Sequence, residues 1–422
     1  TAMVLWLLSA VTSAVLLHLE GQPQTSSQHV HSTLVGISPL SDAGDISYYT
    51  NITLGDQLFR VLIDTGRRGS TCRSDLWVAG DVTESEFTGF DSGVTYAVGE
   101  IEAGPIKSAR LAFADYVLPH QAFIEVEPDE DNRKGEGLLG LGPNSGSNVW
   151  LEMNSSAGYA VSDNIFLQNS STPKFITVLL GRADDTSDPF TFQGDMTIGS
   201  LLDNYTEILT QPKLAVTAVP EYDTWNQHFQ IHLDDDGIVG PDGEVISMKS
   251  SVQSEKDKKK LTAVIDTGFS LSQISTSAAS AIYSRFSGAE MVNIQGLGQV
   301  WIVPCAQEVN ITFKFAGQSF PVHPLDTTLD ARLIGIDALQ NSEGTPCCIG
   351  LFQPISFDVG THPQFDMVLG MSFLRNVYTL IYYGDFVAGG ASKDQPYIQF
   401  LSTTDHAKAH SEFVRTRLGG ID

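Results

Sequence analysis

Two aspartates stand in the same short setting at distant points of the chain. Val61-Leu62-Ile63-Asp64-Thr65-Gly66 is repeated in kind as Ala263-Val264-Ile265-Asp266-Thr267-Gly268. Each copy is a β-branched apolar run that ends in a carboxylate, a hydroxyl and a glycine. Such a run reads as a strand buried on both faces, and the glycine lets the backbone turn sharply past the acid. A carboxylate ending a buried strand is costly unless it is hydrogen-bonded or put to use. One copy alone reads as a turn or a helix cap. Two copies predict two related lobes, each lending one carboxylate to a shared site.

The elements that follow each acid match as well. Gly137-Leu138-Leu139-Gly140 comes after Asp64, and Asp366-Met367-Val368-Leu369-Gly370 after Asp266, each at a long interval. This ordered set resembles the pepsin-like aspartic proteases, in particular the fungal ones, from about Ile46 to Leu401. The resemblance implies a mainly all-β, bilobal fold with two pseudo-twofold-related lobes and a cleft between them. Residues 46–213 would form the N-terminal lobe with the first Asp-Thr-Gly and the flap, and 214–401 the C-terminal lobe with the second. It implies an aspartic-type endopeptidase that hydrolyses proteins at acidic pH through water activated between Asp64 and Asp266. Thr65 and Thr267 would interlock across the lobes, while Gly66 and Gly268 admit backbone donors close to the acids. Tyr96, within Asp91 to Ile101, matches the flap tyrosine, and Trp77 matches the tryptophan that supports it. No cofactor and no metal is implied.

Departures from the family pattern point to an alternative. Seven residues, Arg67-Arg68-Gly69-Ser70-Thr71-Cys72-Arg73, intervene before Ser74-Asp75-Leu76-Trp77-Val78. They are either a surface excursion or translated intron. The hydroxyl residue usual after each Asp-Thr-Gly is replaced by Arg67 and by Phe269, and Ala97-Val98 alter the flap. A catalytically impaired relative that binds peptides or proteins in the same cleft is the competing reading.

Composition narrows the partners. Short apolar runs broken by Gly, Pro, Ser, Asn and Asp clusters indicate β architecture. With 24 Lys+Arg against 50 Asp+Glu, the formal charge is −26. That surface repels nucleic acid and anionic membranes, and acidic conditions relieve its self-repulsion. The expected partners are polypeptide substrates, with no nucleic acid, no lasting membrane partner and a monomeric state. No Cys-x-x-Cys or His-Glu-x-x-His spacing marks a metal site. Asp234-Asp235-Asp236-Gly237 lacks the spacing of a calcium loop and reads as a hairpin turn. His29 and His31 read as solvated residues.

The ends and the cysteines suggest an exported protein. Residues 1–20 hold an apolar stretch, Met3 to Leu17, that fits a secretory leader. Residues 21–45 are polar and read as a flexible lead-in, a possible short pro-segment, with no Lys or Arg between Glu20 and Asp45. Sequons at Asn51, Asn154, Asn169, Asn204 and Asn310 agree with secretion, the vacuolar lumen being the alternative. The family resemblance pairs Cys305 with Cys348, a closure contributing about 4 kcal/mol in the chain-entropy model. Cys72 and Cys347 have no evident mates. Leu271 to Phe286 is predicted to hold a helix behind the second motif, and residues 402–422 read as a charged tail.

Overall fold

In each half, the strand that follows the interval is sandwiched between the motif strand and the strand just beyond the motif. Gln57–Asp64 runs parallel to Glu136–Gly140, with Ile63 opposite Leu139 and Asp64 opposite Gly140. Glu136–Gly140 in turn runs antiparallel to Leu76–Ala79, Trp77 facing Leu138. The second half repeats the arrangement. Thr262–Ile265 is parallel to Met367–Leu369, with Ile265 opposite Leu369, and Gln273 of Ser272–Ile274 meets Val368 from the other side. A parallel pair cannot be closed by a tight hairpin, so the long interval after each motif is a topological necessity. Thr262–Ile265 is buried at all four positions. Gln57–Asp64 is not buried on both faces: Phe59, Val61 and Ile63 are in the core, while Arg60 and Leu62 are half-buried, because its second face is covered only in part.

The computed structural model describes residues 15–23, 46–66, 74–95, 101–129, 132–168, 172–182, 192–269, 271–294, 298–334, 336–355, 362–390 and 393–421. Its largest sheet has thirteen strands and draws on both halves. Val377–Tyr382 of the second half pairs antiparallel with Phe175–Leu180 of the first, Leu380 facing Thr177. Leu214–Ala215, at the crossing between halves, pairs with Tyr397–Ser402. The first motif's strands belong to this shared sheet, while the second motif's strands form a separate five-stranded sheet. The expected helix behind the second motif is Thr276–Tyr283, capped by the Ser275 side chain, which accepts from the Ala278 N–H.

Two terminal segments differ from their reading in the sequence. Val15–Pro23, divided there between leader and flexible lead-in, is a strand between Phe192–Ile198 and Ile46–Leu54, with Leu17 opposite Met196 and Gly21 opposite Tyr48. A short apolar run satisfies the composition of a leader and of a strand equally. The charged tail contains the helix His406–Arg417, with Asp405 accepting from the Lys408 N–H at its start. Ala409, Phe413 and Val414 face the core, too few apolar positions for the period to stand out in sequence. His323 and His410 pair with Glu412 and Glu308 at 2.9 and 2.7 Å, tying the helix to the second half.

The helix Val161–Gln168 buries Val161, Ile165 and Phe166 together with one acid, Asp163. Asp163 is 1% exposed and accepts from the Ala388 N–H at 2.9 Å. Burial pushes its pKa up to about 7, against the pull of the Ala388 and Ala160 N–H groups. The folded chain therefore keeps this proton where the unfolded chain has released it. The resulting stability is fully present below about pH 4 and is lost as pH rises to about 7, by about 4 kcal/mol in all. Asp163→Asn is expected to flatten the dependence of melting temperature on pH between 4 and 7 in calorimetry. A slope parallel to that of the unaltered protein would refute this.

Candidate active site

The ends of the two motif strands meet. The Thr65 N–H donates to Thr267 Oγ1 at 3.1 Å, and the Thr267 N–H donates to Thr65 Oγ1 at 3.1 Å. Each hydroxyl then donates onward, Thr65 to the Ile265 carbonyl at 3.2 Å and Thr267 to the Ile63 carbonyl at 3.1 Å. Both threonines are buried, at 0% and 2% exposure, so no water competes for these four bonds. The pattern is symmetric under exchange of the halves, and it needs a side chain that both donates and accepts.

The carboxyls lie between the two motif glycines. Gly66 N–H donates to Asp64 Oδ1 at 3.0 Å and Gly268 N–H to Asp266 Oδ1 at 2.8 Å. Each glycine also packs against the acid of the other half. A methyl group placed on Gly268 would sit 2.5 Å from Asp64 Cγ, and one on Gly66 would sit 2.7 Å from Asp266 Cγ. Only a residue without a Cβ admits that approach. Behind the acids, the Leu141 N–H donates to the Asp64 carbonyl at 2.7 Å, and the Leu141 carbonyl accepts from the Tyr383 hydroxyl at 2.7 Å. On the other side the Asp266 N–H donates to the Leu369 carbonyl at 3.1 Å.

A third buried acid follows the first motif in the chain. Asp75, 3% exposed, accepts from the Ser147 hydroxyl at 2.5 Å and from the Asn148 N–H at 2.9 Å. It thus sits at the start of the helix Asn148–Met153, where orphan N–H groups favour a carboxylate. Asn148 Nδ2 donates to the Gly93 carbonyl at 2.6 Å, which ties this helix to a hairpin. That hairpin is Ser85–Thr95 with Ile101–Phe113, Thr95 facing Ile101. Its tip, with Tyr96, Ala97 and Val98, lies outside the described residues, as do Arg67–Arg73. Trp77 is buried among Ile106 of the hairpin, Ile124, Leu138 and Val149. Phe269 is buried against Val264 and Val368, an apolar seat where the resemblance would have a hydroxyl.

Sequence reasoning passed over an ionic cluster near the junction of the halves. Asp326 accepts from Arg182 Nε and from Arg375 Nε, both at 2.6 Å, and from Asn376 Nδ2 at 3.1 Å. Burial alone would raise its pKa, but Arg182 and Arg375 outweigh that and hold the carboxyl below the usual range. No local motif announces it, since its members come from three distant segments. Cys305 and Cys348 form the expected disulfide. Cys347 is a buried free thiol whose pKa is raised by burial; Cys72 is outside the described residues. Asn51, Asn154 and Asn204 are exposed and Asn310 is half-buried, while Asn169 is not described. Among the described residues no group of His, Cys, Asp or Glu could hold a metal ion.

Residues 47–387 match the eukaryotic aspartyl protease family. The chain belongs to that family. It is 24% identical over 383 residues to the major aspartyl peptidase 1 of Cryptococcus neoformans var. grubii, covering 84% of this chain and 71% of that protein. Similarity to an aspartic protease of Phaffia rhodozyma is 23% over 411 residues, 92% of this chain and 85% of the other. A probable aspartic-type endopeptidase of Aspergillus fumigatus is 23% identical over 378 residues, 82% of this chain and 78% of that one. As a family member the chain is an aspartic-type endopeptidase whose substrates are polypeptides. The mostly β, two-halved architecture agrees with that membership.

The contact between Gly268 and the opposing acid gives a direct test. Gly268→Ala would place its methyl group within 2.7 Å of Cγ and both carboxyl oxygens of Asp64, so the acid must be displaced. Loss of peptide cleavage by about 10²-fold is expected, the scale of a misplacement of about 1 Å, with a cooperative melting transition retained. Retention of full activity would show that the site tolerates a wider separation of the halves.

Proposed function

We propose that Asp64 and Asp266 are the proton-sharing pair of an acid endopeptidase, with a water molecule lodged between their carboxyls. The observation that carries this reading is the reciprocal packing of each carboxyl against the glycine of the other half's motif. Like charges confined to one such site disfavour double ionisation, so the pair holds a single proton across an acidic range. The ionised partner takes a proton from the water as it attacks a peptide carbonyl, and the protonated partner donates to the developing oxyanion. The tetrahedral intermediate then collapses with protonation of the leaving amine, and no covalent enzyme intermediate is formed.

The Gly66 and Gly268 N–H groups aim at the carboxylate oxygens and favour the ionised form, which keeps a base available at low pH. The threonine bonds hold the two acids at fixed separation, so little reorganisation is needed during the reaction. The substrate lies across the two halves beneath the hairpin of Ser85–Thr95 and Ile101–Phe113, with the flap role falling to Tyr96 by likeness to the family and Trp77 supporting the hairpin. The protein works as a monomer outside the cell or in the vacuolar lumen. Exposed sequons at Asn51, Asn154 and Asn204 and the Cys305–Cys348 bridge suit an oxidising export route.

Cleavage of a denatured protein at about pH 3–5 is expected from the purified protein, with inhibition by a statine-type transition-state mimic. Asp64→Asn should lower the rate by on the order of 10³-fold while leaving the fold intact. A folded, unaltered protein that binds the mimic without cleaving any polypeptide would instead establish the cleft as a binding site.

A further inference from the structure

One histidine reaches the first motif from the opposite half. His228 lies just before the strand Gln230–His232, which pairs antiparallel with the second motif strand, Gln230 facing Val264 and Ile231 facing Ala263. Its side chain does not stay with that strand. Nδ1 lies 3.0 Å from the carbonyl oxygen of Gly66, and the residue is 4% exposed. A carbonyl oxygen can only accept, so Nδ1 carries the hydrogen. The ring is steadied by an edge contact with Phe365, centroids 5.4 Å apart and planes at 80°. Gln227, the preceding residue, has its amide fixed at 2.9 Å to the Thr217 carbonyl and at 2.7 Å to the His228 carbonyl, which anchors the backbone from which the ring projects.

We propose that His228 is a positioning residue for the acid pair, holding the Gly66 peptide in place from the second half. Gly66 has three roles at once. Its N–H donates to Asp64 Oδ1, its Cα face packs against Asp266, and its carbonyl accepts from His228. Glycine has the weakest intrinsic backbone preference of any residue, so these contacts, and not its own torsional preferences, set the direction of its N–H. The threonine bonds end one residue earlier, at Thr65. His228 extends the interlocking of the two halves across the residue that touches both acids. Because the donating N–H is present in neutral and protonated imidazole alike, the contact persists at the acidic pH where the enzyme works.

This inference rests on the endopeptidase reading, and two variants separate the hydrogen bond from the packing of the ring. His228→Phe keeps a ring against Phe365 and removes the donor. His228→Asn removes the ring and retains an amide nitrogen close to the place of Nδ1. We expect kcat to fall about tenfold in His228→Phe with KM changed less than about twofold, and to recover to within about threefold in His228→Asn. An unchanged kcat in His228→Phe, or a slower His228→Asn than His228→Phe, would overturn the proposal in favour of simple packing. A rise in KM alone would make His228 a substrate contact. An independent measurement needs no turnover. In protein labelled with 15N-histidine, the resonance assigned through the His228 variants should show a protonated Nδ1 protected from solvent exchange. An Nε2–H tautomer or a rapidly exchanging Nδ1–H would refute the hydrogen bond even if cleavage itself were never observed, an outcome that would count separately against the endopeptidase reading.

Discussion

The reciprocal bonding of Thr65 and Thr267 is the constraint on which the rest of the molecule depends. Four hydrogen bonds join two backbone segments separated by some two hundred residues, in a region from which water is excluded. Each is worth only about 0.5–1.5 kcal/mol net, yet losing one partner in such a place leaves a buried group unsatisfied and costs about 1–3 kcal/mol. That asymmetry makes the junction close to all-or-none. Either both strand ends are in register and every polar group is matched, or several are stranded together. The position of the acids follows from this, since Asp64 and Asp266 each directly precede a threonine of the pair.

Bringing two carboxyls together in a buried setting is unfavourable in itself, and the surroundings show how the cost is offset. Each acid receives a backbone N–H from its own glycine and rests against the glycine of the opposite motif. The strands that carry them are held along their length by parallel partners, the first within the sheet that both halves share and the second within a five-stranded sheet of its own half. Asp75 and the Arg182–Asp326–Arg375 cluster bring further buried or half-buried polar groups, each with partners on other segments. Such groups contribute little net stability. They do penalise any arrangement in which the segments slide past one another.

The same chain is arranged for acid. Its formal charge of −26 repels itself most when every carboxylate is ionised, and Asp163 favours the fold only while it holds its proton. Both effects weaken the native state as pH rises toward neutrality. Stability is therefore tied to acidity both through the overall charge and through a buried residue of the helix Val161–Gln168.

The repeated strand–Asp-Thr-Gly pattern and the two later aliphatic–aliphatic–Gly runs were enough to anticipate two similar β halves, because a parallel partner strand leaves a local record in composition and order. The Cys305–Cys348 bridge was also readable, through likeness to a family. Other features left no such record. Val15–Pro23 has the composition of a leader, and only the vacant place between Phe192–Ile198 and Ile46–Leu54 makes it a strand. His406–Arg417 reads as charged because its apolar face is three residues wide. His228 and Asp163 are single residues in unremarked stretches, and their significance lies wholly in what lies across from them. Sequence by itself marked out which residues are candidates for the chemistry, since reactive groups and tight turns demand particular side chains at particular places. The tertiary structure decided what holds those residues still, since a hydrogen-bond partner can come from any segment that packing brings within 3 Å.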